Sequence, residues 1–395
     1  MESFTGAERT TSFTESVIRE MTRLVNHLHS TDGINLAQGF PDFSAPRELK
    51  DAACRAIQDN VNQYAITWGA KNLRDGIAWK TRHFLGIDVD PEREITVTCG
   101  ATEGMASVML GLLNPGDEAV IFEPFYGNYG PDCALCGAIP RYVPLLAPDW
   151  KLDRDVLSAA FGPRTRAIVI NTPNNPTGKV FTRDELLAIA ELCEQWNCLM
   201  FTDEIYEHIL YDGALHVSPA TLPNMRERTV IVNGLSKTYS VTGWRVGYVI
   251  APAQLTDAIR KVHDFLTVGA AAPLQAAGAA AVCWPEAYYQ KLRDDYQQRR
   301  DYLIDVLRKT GLEPIVPLGA YYTMVDIRPF GFRDDVHFAQ WLVAERGVAV
   351  VPGSSFYKAR GAGSNFVRFA FPKRMETLER AAPRLLDLPR ESEAG

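Results

Sequence analysis

The sequence predicts an α/β protein with two parts, a large domain on a mostly parallel sheet and a smaller α+β domain. Three observations predict it. The chain has 395 residues and 46% hydrophobic composition, enough to bury two ordinary cores. Its middle alternates short apolar runs with helical patterns, as a sheet covered on both faces requires. Beyond about residue 285 the texture changes to long helical patterns and separate β runs.

Taken in order, the strand candidates are 94–98 (EITVT), 119–122 (AVIF), 167–170 (AIVI), 199–202 (LMFT), 229–232 (TVIV) and 246–250 (VGYVI). Helical patterns lie between several of them. In 182–195 (TRDELLAIAELCEQ), Thr182 reads as an N-cap with Glu185 three residues on, a capping box. The Ala/Gly-rich run 268–284 holds Pro273 and Gln275 and is too short and weakly apolar to span a bilayer. It reads as a close-packed helix. A long amphipathic helix over 285–310 then leads to 321–327 (YYTMVDI), a helix near 336–346, and β runs at 348–351 and 366–371. The expected division is an N-terminal arm and part of the small domain over 1–49, a large domain over 50–285, and a small C-terminal domain over 286–395.

Composition removes several function classes. Net charge is −7 and the pI about 5.6, so a basic face for nucleic acid is not expected. The run 291–300 (KLRDDYQQRR) mixes both signs and reads as a solvated helix face. Seven cysteines, an odd number in a core-rich chain, point to reduced thiols and a cytoplasmic protein. Cys133 and Cys136 form one CxxC without a second pair, which reads as one turn of a packed helix, and no metal is expected. The N-terminus lacks the apolar core of a signal peptide.

Chemistry gathers where the strands end. After EITVT come Gly100, Ala101 and Thr102, opening a helix. After AVIF come Phe125 and Tyr126, and after AIVI comes NTPNNPTG with Asn175. After LMFT come Asp203 and Tyr206, and after TVIV come Ser236 and Lys237. Ligands of parallel sheets bind beyond the carboxyl ends of the strands. A helix N-terminus, an aromatic, an amide, an acid with a tyrosine, and a lysine suit a phosphorylated, aromatic, Schiff-base-forming cofactor. Nucleotide motifs fare worse. There is no GxGxxG between strand and helix, and Gly178-Lys179 lacks the earlier glycine and following hydroxyl of a P-loop.

At these residues the chain resembles the class I/II aminotransferases of the fold type I pyridoxal-phosphate family. GLSKTYSVTGWRVG (234–247) is similar to the family's lysine signature. NTPNNPTGKVF (171–181) and TDEIYEHILYDG (202–213) match two further blocks, and INLAQGFPDF (34–43) is similar to the kynurenine/glutamine-type branch. The resemblance spans about 15–385. It implies a mostly parallel sheet of seven strands and pyridoxal 5′-phosphate as cofactor. By the resemblance, Lys237 forms the Schiff base and moves protons, and Asp203 pairs with the pyridine nitrogen. Asn175 and Tyr206 bond the phenolic oxygen and Tyr126 stacks on the ring, with Phe125 beside it. Gly100, Ala101 and Thr102 offer N–H groups to the phosphate, and Arg245 neutralises it. Arg368 clamps the substrate α-carboxylate, helped by Gly39 and Asn175. Tyr64 reaches the phosphate of a neighbouring subunit, which implies a homodimer with shared sites.

The chain departs from the pattern in two places. Many relatives carry a serine where Gly234 stands, so Ser236 is the candidate for that phosphate contact. Kynurenine-type relatives often carry an aromatic where this chain has Ser16-Val17-Ile18. A pocket near Ile18, Phe40, Tyr64, Trp68 and Tyr126, with Tyr322 adding to its wall, predicts neutral, medium-to-large amino acids (Gln, Met, Phe, Tyr, kynurenine-like) as donors and a 2-oxo acid as acceptor, in a ping-pong reaction. Two alternatives stay open: a C–S β-lyase acting on cysteine conjugates, and a pyridoxal-phosphate-binding regulator. The second needs a DNA-binding domain for which this acidic chain leaves no room.

Overall fold

The computed structural model describes residues 6–13 and 15–388; residues 1–5, 14 and 389–395 of the expected arm and C-terminal domain lie outside them. The strands are β1 (Ile34–Asn35), β2 (Ile95–Thr98), β3 (Glu118–Glu123), β4 (Ile139–Leu146), β5 (Lys151–Leu152), β6 (Thr165–Asn171) and β7 (Leu199–Asp203). They continue as β8 (Thr229–Gly234), β9 (Gly247–Ile250), β10 (Glu313–Pro314), β11 (Tyr322–Asp326), β12 (Val348–Ala349), β13 (Val351–Pro352) and β14 (Phe366–Ala370).

The large sheet has eight strands in the order β2-β9-β8-β7-β6-β3-β4-β5. From β8 to β4 all neighbours are parallel, while β9 runs antiparallel to both β2 and β8. The count corrects the expected seven: β5 is a two-residue return that pairs Leu152 with Leu145 at the sheet edge. So short a strand leaves no apolar run to read. β4 gave no signal either, because Pro140 and Pro144 interrupt it. It tolerates them because it lies next to the edge, where many ladder positions have a partner on one side only.

The continuous apolar runs of the central strands follow from burial on both faces. Val120, Phe122, Ile168, Ile170 and Met200 join one core, and the alternate residues Ala119, Ile121, Ala167, Val169 and Phe201 join another. The first core continues into Met324, Val367 and Phe369 of a four-stranded antiparallel sheet, β10-β11-β14-β13. The N-terminal segment crosses to that side. β1 pairs in parallel with β12, and the helix Val17–Leu28 packs on the helix Asp335–Arg346. The strand ends of the large sheet therefore face residues from both the N-terminal segment and the C-terminal sheet.

The helix Arg183–Gln195 has the expected capping box on Thr182 and Glu185. The Ala/Gly-rich stretch forms the helix Ala272–Ala281, and a 25-residue helix spans Glu286–Thr310. Among the described residues no helix is long and apolar enough to cross a membrane.

Candidate active site

A seam of glycines brings a helix N-terminus to the end of β8. Gly234 and Gly247 face each other across the β8–β9 ladder. A methyl group on Gly247 would collide with the backbone of Gly100 and Ala101 at the start of the helix Gly100–Leu112. Gly100 itself has φ +81°, a conformation glycine adopts at low cost, and a methyl there would collide with the Arg245 guanidinium. Arg245 is thus held over the helix N-terminus, with Nη1 donating to the Thr242 carbonyl at 2.9 Å. The seam also explains the departure at Gly234: a Cβ there would stand 2.9 Å from the Gly247 Cα and the Val246 oxygen. Ser236 is buried just beyond it.

At the ends of β6 and β7, side chains order the backbone. Asn171 donates from Nδ2 to the Asp203 carbonyl at 3.0 Å and accepts from the Asn175 N–H at 2.7 Å. The Asp203 carboxylate accepts from the Tyr129 hydroxyl at 2.8 Å and from the Ile205 N–H at 3.3 Å. Burial pushes its pKa up to about 6; the Tyr129 and Ile205 hydrogen bonds and the Lys237 charge oppose that shift. Tyr126 meets Tyr129 edge-on at 5.7 Å, whereas Phe125 turns away and packs on Tyr142 at 5.3 Å.

Lys237 reaches from the end of β8 to the strap 36–40, where its Nζ lies 3.5 Å from the Gly39 oxygen. The same oxygen accepts from the Tyr321 hydroxyl at 2.8 Å. Burial, then the Arg245 charge, push the Lys237 amine down to about 8, with Asp203 pulling the other way. Tyr206 and Tyr322 share a hydroxyl contact at 3.1 Å. Gly39 passes so close to the Tyr322 hydroxyl that no Cβ would fit.

Arg368, on β14, is 0% exposed. It donates to the Ala37 carbonyl at 2.6 Å and to Asn175 Oδ1 at 2.8 Å, and its plane lies 4.2 Å from the Tyr322 ring centre. Its Nε has no partner, and among the described residues no carboxylate pairs with it. A buried guanidinium without an anion is costly. A carboxylate ligand would supply the missing anion.

Comparison with known proteins decides the family. A family model described as aminotransferase class I and II matches residues 31–385. The chain belongs to the class I and II aminotransferases. It is 40% identical over 384 residues to a probable N-succinyldiaminopimelate aminotransferase of Mycobacterium tuberculosis, covering 94% of this chain and 96% of that one. It is 39% identical to a methionine aminotransferase of Escherichia coli (90% and 92% covered) and 36% identical to a mouse kynurenine–oxoglutarate transaminase (96% and 89%). The solved N-succinyldiaminopimelate aminotransferase structure from Mycobacterium tuberculosis superposes with a TM-score of 0.94 at 38% identity, covering 98% of this chain and 100% of that one. Each of these relatives is named for amino transfer, as is expected of an enzyme of this family with a pyridoxal-phosphate cofactor.

In this aminotransferase, Lys237, Asp203, Tyr206, Asn175, Arg368 and Gly39 come together at the strand ends, with Gly100 and Arg245 along one side. Tyr64 stands apart at 88% exposure. Three residues of the site had no sequence signal of their own: Tyr129, which bonds Asp203, Asn171, which sets Asn175, and Tyr321, which bonds Gly39. Each reads as an ordinary strand-end or core residue until its partner is placed. The rest of the 202–213 block points elsewhere. Glu204 accepts from Ser218 at 2.7 Å and contacts His216 at 2.8 Å, and Glu207 pairs with buried Lys80. Glu204, Glu207 and His216 are the one ligand-like cluster among the described residues; protein donors occupy both Glu204 oxygens and Glu207 Oε1, while Glu207 Oε2 has no partner. Cys136 bonds back to the Cys133 carbonyl within one helix, and burial pushes the Cys133 thiol up to about 12.

Proposed function

We propose that this aminotransferase holds pyridoxal 5′-phosphate on Lys237 and transfers the amino group of neutral, medium-to-large L-amino acids to a 2-oxo acid. The observation that carries the reading is a half-buried lysine and a fully buried arginine, without carboxylate partners among the described residues, meeting at one glycine strap. The amine takes the cofactor and the guanidinium takes the α-carboxylate. The surroundings fit the cofactor. Asp203 is a buried acid whose one side-chain partner is the Tyr129 hydroxyl, so it offers a carboxylate that a cationic nitrogen would pair with. The glycine seam lets the helix start pack directly on β9 and the Arg245 guanidinium pack directly on that start, which sets a cation beside the helix N–H groups that would hold a phosphate.

Pyridoxal phosphate, when bound, supplies an electron sink for the substrate Cα. The chain's residues do the rest. Asp203 holds a proton on the ring nitrogen. Asn175, whose oxygen accepts from Arg368, and Tyr206 would hold the cofactor's phenolic oxygen. Gly100, Ala101 and Thr102 present unbonded helix N–H groups to the phosphate, with Arg245 and Ser236 beside them. With the cofactor bound, Lys237 would be the group placed to take and return the substrate's Cα proton, a role typically worth about 10²–10⁴-fold. An amine with a pKa near 8 is neutral often enough to accept it. Arg368 and the Gly39 strap orient the carboxylate so that the Cα–H bond faces Lys237.

Phe40 and Tyr322, beside the strap and Arg368, would offer an apolar wall for the side chain, with Tyr126 and Trp68 as further candidates, which favours methionine, glutamine and aromatic donors. The relatives named for methionine and kynurenine support this. Tyr64 is 88% exposed and Phe265 92%. His263 bonds the Thr67 carbonyl at 2.9 Å, so the segments bearing them lie side by side. An apolar face of this kind suits a second subunit, and we infer a homodimer in which Tyr64 completes the neighbouring site.

A half-reaction tests the function. The purified protein is expected to absorb in the visible and to be bleached by borohydride through Lys237. It is also expected to yield pyridoxamine phosphate when mixed with methionine or an aromatic amino acid alone. A Lys237→Ala protein that still forms a borohydride-stable adduct would overturn the assignment. Pyruvate and a thiol from a cysteine conjugate, without pyridoxamine phosphate, would indicate elimination instead.

A further inference from the structure

Lys373 is a buried charge that the mechanism above does not use. It is 3% exposed, and its Nζ donates to the Gln38 carbonyl at 3.1 Å and the Phe40 carbonyl at 2.9 Å. These carbonyls flank Gly39. The ammonium also lies 4.6 Å from the centre of the Phe40 ring. The nearby carboxylate of Asp42 is engaged elsewhere, by the Arg374 N–H at 2.5 Å and the Thr377 hydroxyl at 2.6 Å. Arg299 fixes the backbone behind Lys373, donating to its carbonyl at 2.8 Å. Burial pushes the Lys373 amine down to about 8.

Each carbonyl from Ala37 to Phe40 therefore meets a side chain from elsewhere in the chain. Arg368 takes the first, Lys373 the second and fourth, and Tyr321 with Lys237 the third. A backbone stretch with so many outside donors is not set by its own secondary structure. Its position is set by where those donors stand. Burying an ammonium is costly, and a methionine would fill similar volume without that cost. The charge must contribute something that an apolar side chain would not, and among the described residues the groups its ammonium meets are the strap carbonyls and the Phe40 ring.

We propose that Lys373 is a specificity-determining positioning residue. Its ammonium fixes the Gln38 and Phe40 carbonyls, and so sets both the place of Gly39 beside the substrate carboxylate and the stand of the Phe40 ring against the substrate side chain. This rests on the reading that the strap lines the substrate site. Lys373 touches no reacting atom. Its loss shifts Phe40 first and the cofactor not at all.

The test uses the holoenzyme and Lys373→Met, with Lys373→Arg as the conservative variant. Lys373→Met is expected to keep the parent's visible spectrum and Tm. The KM for methionine and phenylalanine should rise about 10-fold or more, the loss of a charged hydrogen-bond donor. The KM for alanine, which shares the Gly39 contact but does not reach Phe40, should rise less than the other two, by under about 3-fold, because Tyr321 still holds the Gly39 carbonyl, and kcat should stay within a few-fold. Lys373→Arg is expected to recover most of the difference between donors. Amide exchange over 36–43 should accelerate in Lys373→Met while other segments keep the parent rates. Equal KM changes for all three donors, or unchanged exchange over 36–43, would overturn the proposal. Should Lys373→Met not fold, Lys373→Gln, which keeps one donor group, is read in the same way. Failure of the underlying reading looks different: the parent holoenzyme would give no half-reaction with any amino acid, while the exchange measurement still reports on the hold of Lys373 over the strap.

Discussion

Asp203 carries opposite effects on stability and on catalysis. Its pKa stands at about 6 in the folded protein against an ordinary 3.8. Below the ordinary value the group is protonated in both folded and unfolded chains and has no effect. As pH rises toward 6 the unfolded chain ionises first, so folding loses on the order of 3 kcal/mol by neutral pH. Asp203→Asn is therefore expected to raise the Tm of the cofactor-free protein. The gain should grow between about pH 4 and 6 and level off above, as read by thermal melts across pH. The same variant should retain cofactor poorly and lose most turnover, because the ring nitrogen no longer has an anion to hold its proton. A pH-independent Tm difference, or near-normal turnover, would remove Asp203 from this role. Arg368 differs, since its function is to bind. Arg368→Met keeps the volume, removes an unpaired buried charge, and should leave stability equal or higher. Steady-state kinetics should show KM for the amino acid raised about 10–100-fold, from loss of a charge-assisted hydrogen bond worth roughly 1.5–3 kcal/mol.

At the scale of elements, two strand ends and one helix are fitted together through glycine. Gly247 has no Cβ, so the helix Gly100–Leu112 can start against β9, and Gly100 has none, so Arg245 can lie over that start. Gly247→Ala pushes a methyl into the Gly100–Ala101 backbone, which is not the flexible end of a side chain and cannot move aside alone. The expected outcome is a misplaced helix N-terminus. Cofactor affinity, measured by fluorescence titration of the apoprotein, should fall more than tenfold even where the variant still folds. Undiminished affinity would show that the helix start does not hold the phosphate. Gly247 closes the run G-W-R-V-G, and the motif alone marks it as part of the lysine block. That it presses on residue 100, far back in the chain, became visible only with β9 placed antiparallel between β2 and β8.

For the whole molecule, the exposed aromatics define the expectation. Phe265, Leu266, Val268, Tyr64 and Ile66 are apolar side chains left in solvent on adjoining segments. Light scattering is expected to give twice the chain mass. Phe265→Asp should shift it toward the chain mass and lower activity, because each site would lose the tyrosine contributed across the interface. A fully active monomer would sink the shared-site reading. Most of the architecture was legible because α/β domains with both sheet faces buried write their strands as unbroken apolar runs. AVIF, AIVI, LMFT and TVIV lie in β3, β6, β7 and β8. β4, with its two prolines, and the two-residue β5 were not legible, since edge strands need no such run.

The sequence by itself determined which chemistry collects at the strand ends. A lysine, an acid, an amide and a helix start each follow an apolar run directly, so their placement is local and readable. The tertiary structure alone decided how those groups are held. Tyr129 behind Asp203, Tyr321 and Lys373 on the strap, and Arg368 on Asn175 are contacts between residues tens to hundreds of positions apart, and no local pattern encodes them. Hydrogen bonding and burial, which turn a lysine into an amine of pKa about 8 and a carboxylate into one of about 6, exist only once the strands, strap and C-terminal sheet have closed on one another.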